Sequence, residues 1–387
     1  MTAERIAIVG VGQTVHKSKR TDVNTAELCA EAVEAALADA KLTMKDIDCV
    51  ILGSFEPADG YSGPDKWIVP EIGAVGKAGF EMQNVGTTGG VVCATGFNMA
   101  ASGLFQNVLC VAWQKMDEAA GAFGRGGGGA NEYWTGQFPM SPITNFARRT
   151  YDYMTRSKCT EEHLAMVRVK QNQCALRNKH AQLKLPDLTV EKVMNDTLLA
   201  WPIRRLHMCP TTAGSAAIII CPEKRAKKVT NKPVWVEDWF TCHQGGALTM
   251  AEDPQASTLG YACRKIYKRC GITDPKKQIN AWEVYEPAST AELRWIEEVG
   301  LAEDYKAWKL FEEGKVGIEK EIPFNPSGGV TATNPIGCTP VVRVVEASLQ
   351  VRGDAEEHQV PGTINRALAT AYGGQGENVV FLLKKTL

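Results

Sequence analysis

The sequence predicts an α/β protein of two related halves, and three observations carry the prediction. Short apolar runs that end in glycine recur along the chain, amphipathic stretches of helical period separate them, and the same order returns after a polar, glycine-rich middle. With 387 residues the chain is too long for one ordinary core and suits two compact units or one large layered one.

The first run, Ile6 to Gly12, is apolar throughout and reads as a buried strand. Asn24 or Thr25 then caps an amphipathic helix reaching about Ala40. A second strand is expected at Cys49–Gly53, a helix from about Thr87 to Ser102, and a third strand at Val108–Ala112. This β-α-β-α-β order implies a parallel sheet covered by helices. In the second half, strands are expected at Val234–Val236, Ala281–Val284 and Val379–Leu383, with helices near 256–269, 291–299 and 340–351. The division that follows is a first half over residues 1–116 and 206–230, an inserted loop domain over 117–205, and a second half over 231–387. The run Gly121 to Gly129 in the insert lacks the Lys-Ser/Thr pair of a phosphate loop and reads as a flexible loop.

Charge excludes several classes of partner. Lys plus Arg number 43 and Asp plus Glu 44, so no whole-chain field favours nucleic acid or an anionic membrane. There is no leader pattern and no membrane-length apolar run, and the chain reads as soluble and cytoplasmic. Twelve cysteines stand singly, with no C-x-x-C pair and no zinc spacing, so they read as small buried hydrophobes and no metal site is expected. Gly10-x-Gly12 resembles the start of a dinucleotide fingerprint, but position 15 is Val15 and the second strand ends Leu52-Gly53-Ser54-Phe55 without an acid, which disfavours a dehydrogenase.

Several motifs are more specific. Asn325-Pro326-Ser327-Gly328-Gly329 and Thr333-Asn334-Pro335-Ile336-Gly337-Cys338-Thr339 resemble thiolase signatures, especially those of the sterol-carrier-protein type. Ala371-Tyr372-Gly373-Gly374-Gln375-Gly376 is similar to the glycine-rich thiolase loop whose backbone N–H groups form an oxyanion hole. Cys209-Pro210-Thr211-Thr212-Ala213-Gly214 and Glu283-Val284-Tyr285-Glu286-Pro287-Ala288 resemble two further family segments. The resemblance spans the chain and implies the thiolase fold, a layered α-β-α-β-α core.

It also implies chemistry. The family's nucleophilic cysteine sits at a helix N-terminus, where the dipole and free N–H groups lower a thiol's pKa. Aligning Ala101-Ser102-Gly103 and Leu109–Ala112 with the family puts Gly86 at that position, while Asn334 and Tyr285 stand where histidines are usual. Two cysteines could substitute. Cys93 is seven residues past Gly86, on the same helix face but about 10 Å along it; Cys338 is four past Asn334. Asn334, Asn325 and Tyr285 can donate to a thioester or enolate oxygen, with the Gly374 backbone N–H beside them, and Glu286 could be the base at the α-carbon. Asn325 also suits a cap on its own turn, and His207 and His243 read as structural.

The expected activity is thiolase-type: cleaving or forming a carbon–carbon bond in a bulky or branched β-ketoacyl-CoA, with coenzyme A as co-substrate and no covalently bound cofactor. Thiolase-fold proteins with an emptied nucleophile position pair with a smaller zinc-finger/OB-fold subunit. This sequence looks closest to the thiolase-like subunit of benzoylsuccinyl-CoA thiolase, and its tail Glu357-His358-Gln359-Val360-Pro361-Gly362 resembles what such chains carry. A retro-aldol lyase on a β-hydroxyacyl-CoA and a non-catalytic acyl-CoA-binding subunit are the alternatives. A homodimer with the smaller subunit bound is the expected assembly.

Overall fold

The computed structural model describes residues 4–118, 141–243, 257–373 and 376–387. The strands in chain order are β1 (Ile6–Gln13), β2 (Cys49–Gly53), β3 (Ala78–Met82), β4 (Val108–Lys115), β5 (Leu198–Ala200), β6 (Ile203–Arg204), β7 (Ala213–Pro222), β8 (Val234–Cys242), β9 (Ala281–Glu283), β10 (Arg366–Tyr372) and β11 (Asn378–Lys384). The described helices of eight residues or more are α1 (Thr25–Ala40), α2 (Thr88–Ala101), α3 (Pro142–Arg156), α4 (Glu161–Arg177), α5 (Thr258–Cys270), α6 (Ala291–Glu298) and α7 (Thr339–Arg352).

Nine strands run in the order β3-β2-β4-β7-β1-β8-β11-β10-β9, and β5-β6 form a separate hairpin. The sheet is mixed, which corrects the all-parallel expectation. β2 lies parallel to β3 and β4, but β7 enters antiparallel between β4 and β1. The two groups of strands meet only where Ala7 and Ile8 of β1 pair with Trp235 and Val234 of β8. β7 reads AGSAAIIICP and is buried along its whole length. Its small residues hide the strand from a periodicity reading, because a run buried on both faces has no alternation.

Burial sorts the helices into layers. α2 and α7 share one core with inward residues of both strand groups, among them Ile8, Ile51, Cys110, Ile218, Ala369 and Phe381. α1 covers the opposite face of the first group, over Val9, Leu52, Val111 and Ile219. α3, α5 and α6 cover the second group over Trp282, Val284, Leu368 and Leu382. The result is the layered α-β-α-β-α core of the thiolase fold. α1 is started by a capping box in which the Asn24 side chain and Glu27 satisfy each other's backbone N–H groups.

The glycines of β1 have a packing reason. A Cβ at Gly12 would stand 2.3 Å from the Ala32 carbonyl oxygen of α1, and one at Gly10 would stand 2.5 Å from that of Ala36. The Gly-x-Gly pair is there to let α1 lie on the strand. No described helix is long and apolar enough to cross a membrane.

Candidate active site

The segment before α2 brings its N-terminus to the end of β10. Asn84 N donates to Thr88 Oγ1 at 2.8 Å, while Thr87 and Thr88 donate back to the carbonyls of Asn84 and Val85 at 2.7 Å each. These bonds close the turn that leads into the helix. Gly86 sits in this turn, and a Cβ there would be 2.6 Å from the Tyr372 carbonyl oxygen and 3.5 Å from Tyr285 Oη. No side chain larger than hydrogen fits without a shift.

Tyr285, just past β9, reaches across to the loop before α7. Its hydroxyl lies 3.2 Å from Asn334 Oδ1 and 3.4 Å from the Ile336 carbonyl oxygen. Both are long for O–H···O contacts, so the hydroxyl is loosely held and free to turn to another acceptor. Burial raises its pKa well above the usual tyrosine value, with Cys209 adding to the rise, and it stays a proton-bearing donor at neutral pH.

Asn334 has its orientation set by its neighbours. Thr339 Oγ1 donates to Oδ1 at 2.8 Å and the Asn334 backbone N–H is held by Thr212 Oγ1 at 2.9 Å, which turns Nδ2 toward Cys209 Sγ at 3.1 Å. One Nδ2 hydrogen therefore remains for a ligand. Cys209 is half-buried, and burial pushes its thiol up to about 12 against the opposing pull of the Asn334 amide. It is the one cysteine in this cluster, and sequence reasoning read its segment only as a family match. Its place is fixed by its backbone N–H, which donates to the Pro287 carbonyl at 3.0 Å, two residues past Tyr285.

Tyr372, at the end of β10, is the second residue that the sequence reading did not single out. Arg149 of α3 donates to its Oη at 3.1 Å, which leaves the hydroxyl hydrogen uncommitted among the described residues. Its ring packs edge-on against Tyr285 at 6.3 Å and Trp295 at 5.5 Å. Behind Tyr372 lies a cavity of about 90 Å³, lined among others by Phe146, Thr150, Thr290 and Asn378.

Gly86, Tyr285 and Asn334 are thus brought together, and four other expectations need correction. Cys93 on α2 and Cys338 at the start of α7 are fully buried in the shared core. Burial pushes both thiols up, and a nucleophile needs the thiolate and an approach path, so both are packing residues. Glu286 points away from Tyr285 into a buried knot. Its Oε1 accepts from Gln171 Nε2 at 3.1 Å and Val330 N at 2.8 Å, and its Oε2 accepts from Asn325 Nδ2 at 2.7 Å. Burial and the neighbouring Glu292 raise its pKa, and with both oxygens taken up by donors it is enclosed rather than poised as a base.

Asn325 belongs to the same knot. At φ 50° it also accepts from Val284 N at 2.7 Å, so it clamps two chain segments and offers nothing to a substrate. Lys170 pairs with Glu292 beside it. Gly374 and the Gly121–Gly129 run lie outside the described residues. No histidine stands in the cluster. His207 is buried, its Nδ1 accepting from Arg204 N at 3.2 Å, and His243 is exposed near Glu377. Among the described residues no group of His, Cys, Asp and Glu could hold a metal ion.

Comparison with known proteins bears on the fold and the family. Residues 241–385 match the thiolase C-terminal domain-like family. The chain is 28% identical to an acetyl-CoA acetyltransferase of Methanothermobacter thermautotrophicus over 367 residues, covering 92% of this chain and 93% of that one. It is 25% identical to the benzoylsuccinyl-CoA thiolase subunit BbsB of Thauera aromatica over 232 residues, 59% of each chain. Among solved structures, one named Ltp2-ChsH2(DUF35) aldolase superposes over 100% of this chain and 99% of its own, with a TM-score of 0.84 at 21% identity.

Proposed function

We propose that the chain, which matches a thiolase C-terminal domain over residues 241–385 and has the thiolase fold over its whole length, is a member of the thiolase superfamily that cleaves or forms the carbon–carbon bond next to the thioester carbonyl of a β-oxygenated acyl-CoA without an acyl-enzyme. One observation carries this reading. Gly86, aligned with the family's nucleophile, has no room for a side chain at the start of α2, and the polar groups beside it are the Tyr372 carbonyl oxygen and the Tyr285 hydroxyl, which bonds in turn to Asn334. Of the reactions open to this fold, retro-aldol cleavage of a β-hydroxyacyl-CoA needs no nucleophilic thiol.

In that reaction the thioester oxygen lies against Tyr285 Oη and Asn334 Nδ2. The β-hydroxyl loses its proton and becomes a carbonyl as the Cα–Cβ bond breaks, and the bond's electron pair passes to an enolate on the thioester oxygen. Donors aimed at that oxygen stabilise charge that develops only in the transition state. The proton that leaves the β-oxygen is returned at Cα, so no net acid, base or co-substrate is consumed. Tyr372, steadied by Arg149, is the side chain that stands to carry it.

A second reading rests on Cys209. If its thiolate attacked a β-ketoacyl-CoA, the resulting acyl-enzyme would be released by coenzyme A, as in a retro-Claisen thiolase. The raised thiol pKa favours the first reading, because the thiolate is scarce at neutral pH. The names of two similar proteins, a thiolase subunit and an aldolase joined to a DUF35 protein, support a second protein subunit, and the proposed assembly sets a smaller subunit of this kind on a homodimer of this chain. Light scattering on the isolated chain and on the co-purified complex tests that assembly, and a lone monomer at micromolar concentration would refute it.

The decisive assay supplies β-hydroxyacyl-CoA and β-ketoacyl-CoA substrates with and without free coenzyme A. The proposal expects an aldehyde or ketone plus a shortened acyl-CoA from the hydroxy substrate at a rate independent of coenzyme A. Turnover only of the keto substrate, and only with coenzyme A present, would establish the second reading instead.

A further inference from the structure

The cavity behind Tyr372 lies between α3, α5 and α6, and its lining is both aromatic and polar. The aromatic rings of Phe146, Tyr153, Trp295 and Tyr372 line the cavity, together with the hydroxyl and amide groups of Thr150, Thr290, Thr258 and Asn378. Its charges are mostly spoken for. Asp152 is bonded by Arg156 at 2.8 Å, and Glu298 accepts from Ser257 at 2.5 Å and from Arg294 at 3.1 Å. Arg149 is engaged with Tyr372.

The hydroxyls are not equivalent. Thr258 Oγ1 donates to the Gly376 carbonyl at 2.6 Å and accepts from Asn378 Nδ2 at 2.7 Å, so it is committed in both directions. Thr150 Oγ1 donates to Thr290 Oγ1 at 2.8 Å. Thr290 therefore has its oxygen occupied and its own hydrogen without an acceptor among the described residues. A buried hydroxyl hydrogen facing a cavity calls for an acceptor there.

Size adds a second constraint. A cavity of about 150 Å³ takes one benzene molecule, so the 90 Å³ here corresponds to about four heavy atoms. We propose that this cavity, walled by Tyr372 and Thr290, is the acyl-group subsite of the same active site, and that it selects a short acyl end bearing an oxygen acceptor, a carbonyl or carboxylate, directed at the Thr290 hydroxyl. This rests on the acyl-CoA reading above and narrows it. A fused-ring acyl group does not fit, and an unsubstituted alkyl end leaves the hydroxyl unpaired.

Binding of unreactive S-alkyl thioethers of coenzyme A, measured by calorimetry, tests the subsite without turnover. Four probes suffice: S-butyl, S-(3-oxobutyl), S-(3-carboxypropyl) as its charged counterpart, and a decalin-sized S-alkyl. An oxygen-bearing probe should bind about tenfold tighter than S-butyl, the worth of one well-made buried hydrogen bond, and the decalin probe about tenfold weaker. Thr290→Val should reduce the oxygen preference to within twofold, with S-butyl bound no more weakly than by the wild type because the unpaired hydroxyl is gone, and Thr290→Ser should keep the preference. Whether the carbonyl or the carboxylate gains more identifies which acceptor is recognised. Equal binding of all probes, or a preference that survives Thr290→Val, overturns the inference. Selective binding without any turnover would leave the subsite standing and sink the lyase reading, and turnover without selection would do the reverse.

Discussion

Tyr285 and Glu286 are adjacent in sequence and lie in opposite worlds. On one side, Tyr285, Asn334, Cys209 and Tyr372 form a cluster held by long contacts, with uncommitted hydrogens on Asn334 and Tyr372. On the other, Glu286, Asn325, Gln171, Glu292 and Lys170 form a knot in which both oxygens of Glu286 are taken up by donors. Successive residues of an extended segment face opposite ways, so a shared motif does not make a shared site. Spare hydrogen-bonding capacity marks the chemistry, and saturation marks the scaffold.

The largest expected effect separates the two directly. Tyr285→Phe deletes one oxyanion donor and should cost on the order of a hundredfold in kcat and in kcat/KM alike, about 3 kcal/mol, with KM and thermal stability little changed. Asn334→Ala should act in the same direction. Steady-state kinetics beside a melting curve read both, and full turnover in two folded variants would move the site elsewhere.

The knot should respond in the opposite way. Glu286→Ala strands the donors of Gln171, Asn325 and Val330, at roughly 1–3 kcal/mol for each buried unpaired group, so denaturant unfolding should show a loss of about 4 kcal/mol. Glu286→Gln keeps one acceptor oxygen but sets an NH2 against one of these donors, so it should cost about 2 kcal/mol, less than the alanine, and keep turnover within about threefold. A hundredfold loss of kcat in Glu286→Gln would make it a base after all and erase the distinction.

Gly86→Ala sharpens the boundary between them. A methyl there would meet the Tyr372 carbonyl oxygen at 2.6 Å, and relieving such overpacking costs about 2 kcal/mol. Restoring a cysteine at this position should carry the same strain, so Gly86→Cys is expected to lose stability and gain no thiolase activity.

The smallest effect is a pH dependence. His207, two residues before Cys209, is kept neutral by burial, its pKa pushed down to about 4. The unfolded chain takes up this proton near 6.5, so the stability this residue contributes is present above about pH 6.5 and is lost as the pH falls toward 4. Roughly 1 kcal/mol should be gone by about pH 5.5, and His207→Gln should flatten that part of a stability-versus-pH curve measured in urea. An unchanged curve would assign the acid loss to other groups.

Much of the fold was legible because its signals are local. Ile6–Gly12, Cys49–Gly53 and Val108–Ala112 announce themselves as apolar runs, and each became a strand. β7 and β10 did not, since Ala213–Pro222 and Arg366–Tyr372 carry small residues at positions buried on both faces, and there the sheet's mixed direction was lost. Gly86, Tyr285 and Asn334 could be picked out from motif and spacing. Cys209 and Tyr372 could not, because their roles come from partners far along the chain: Asn334, 125 residues on, and Arg149, 223 residues back. Cys93 and Cys338 read as buried fillers with a nucleophile's role as the alternative, and the structure decides for packing, since helix periodicity gives a direction but not the depth of the layer that the helix faces.

The central claim, carbon–carbon bond chemistry without a covalent thiol intermediate, turns on Cys209, the one cysteine within the cluster. Turnover of Cys209→Ala with a β-hydroxyacyl-CoA is its most direct test. Retention of kcat within about tenfold, with no acyl adduct on the wild-type chain in rapid-quench intact mass spectra, is the expected result. A loss beyond about a thousandfold, the scale of removing a covalent nucleophile, together with an acyl mass on Cys209, would contradict it.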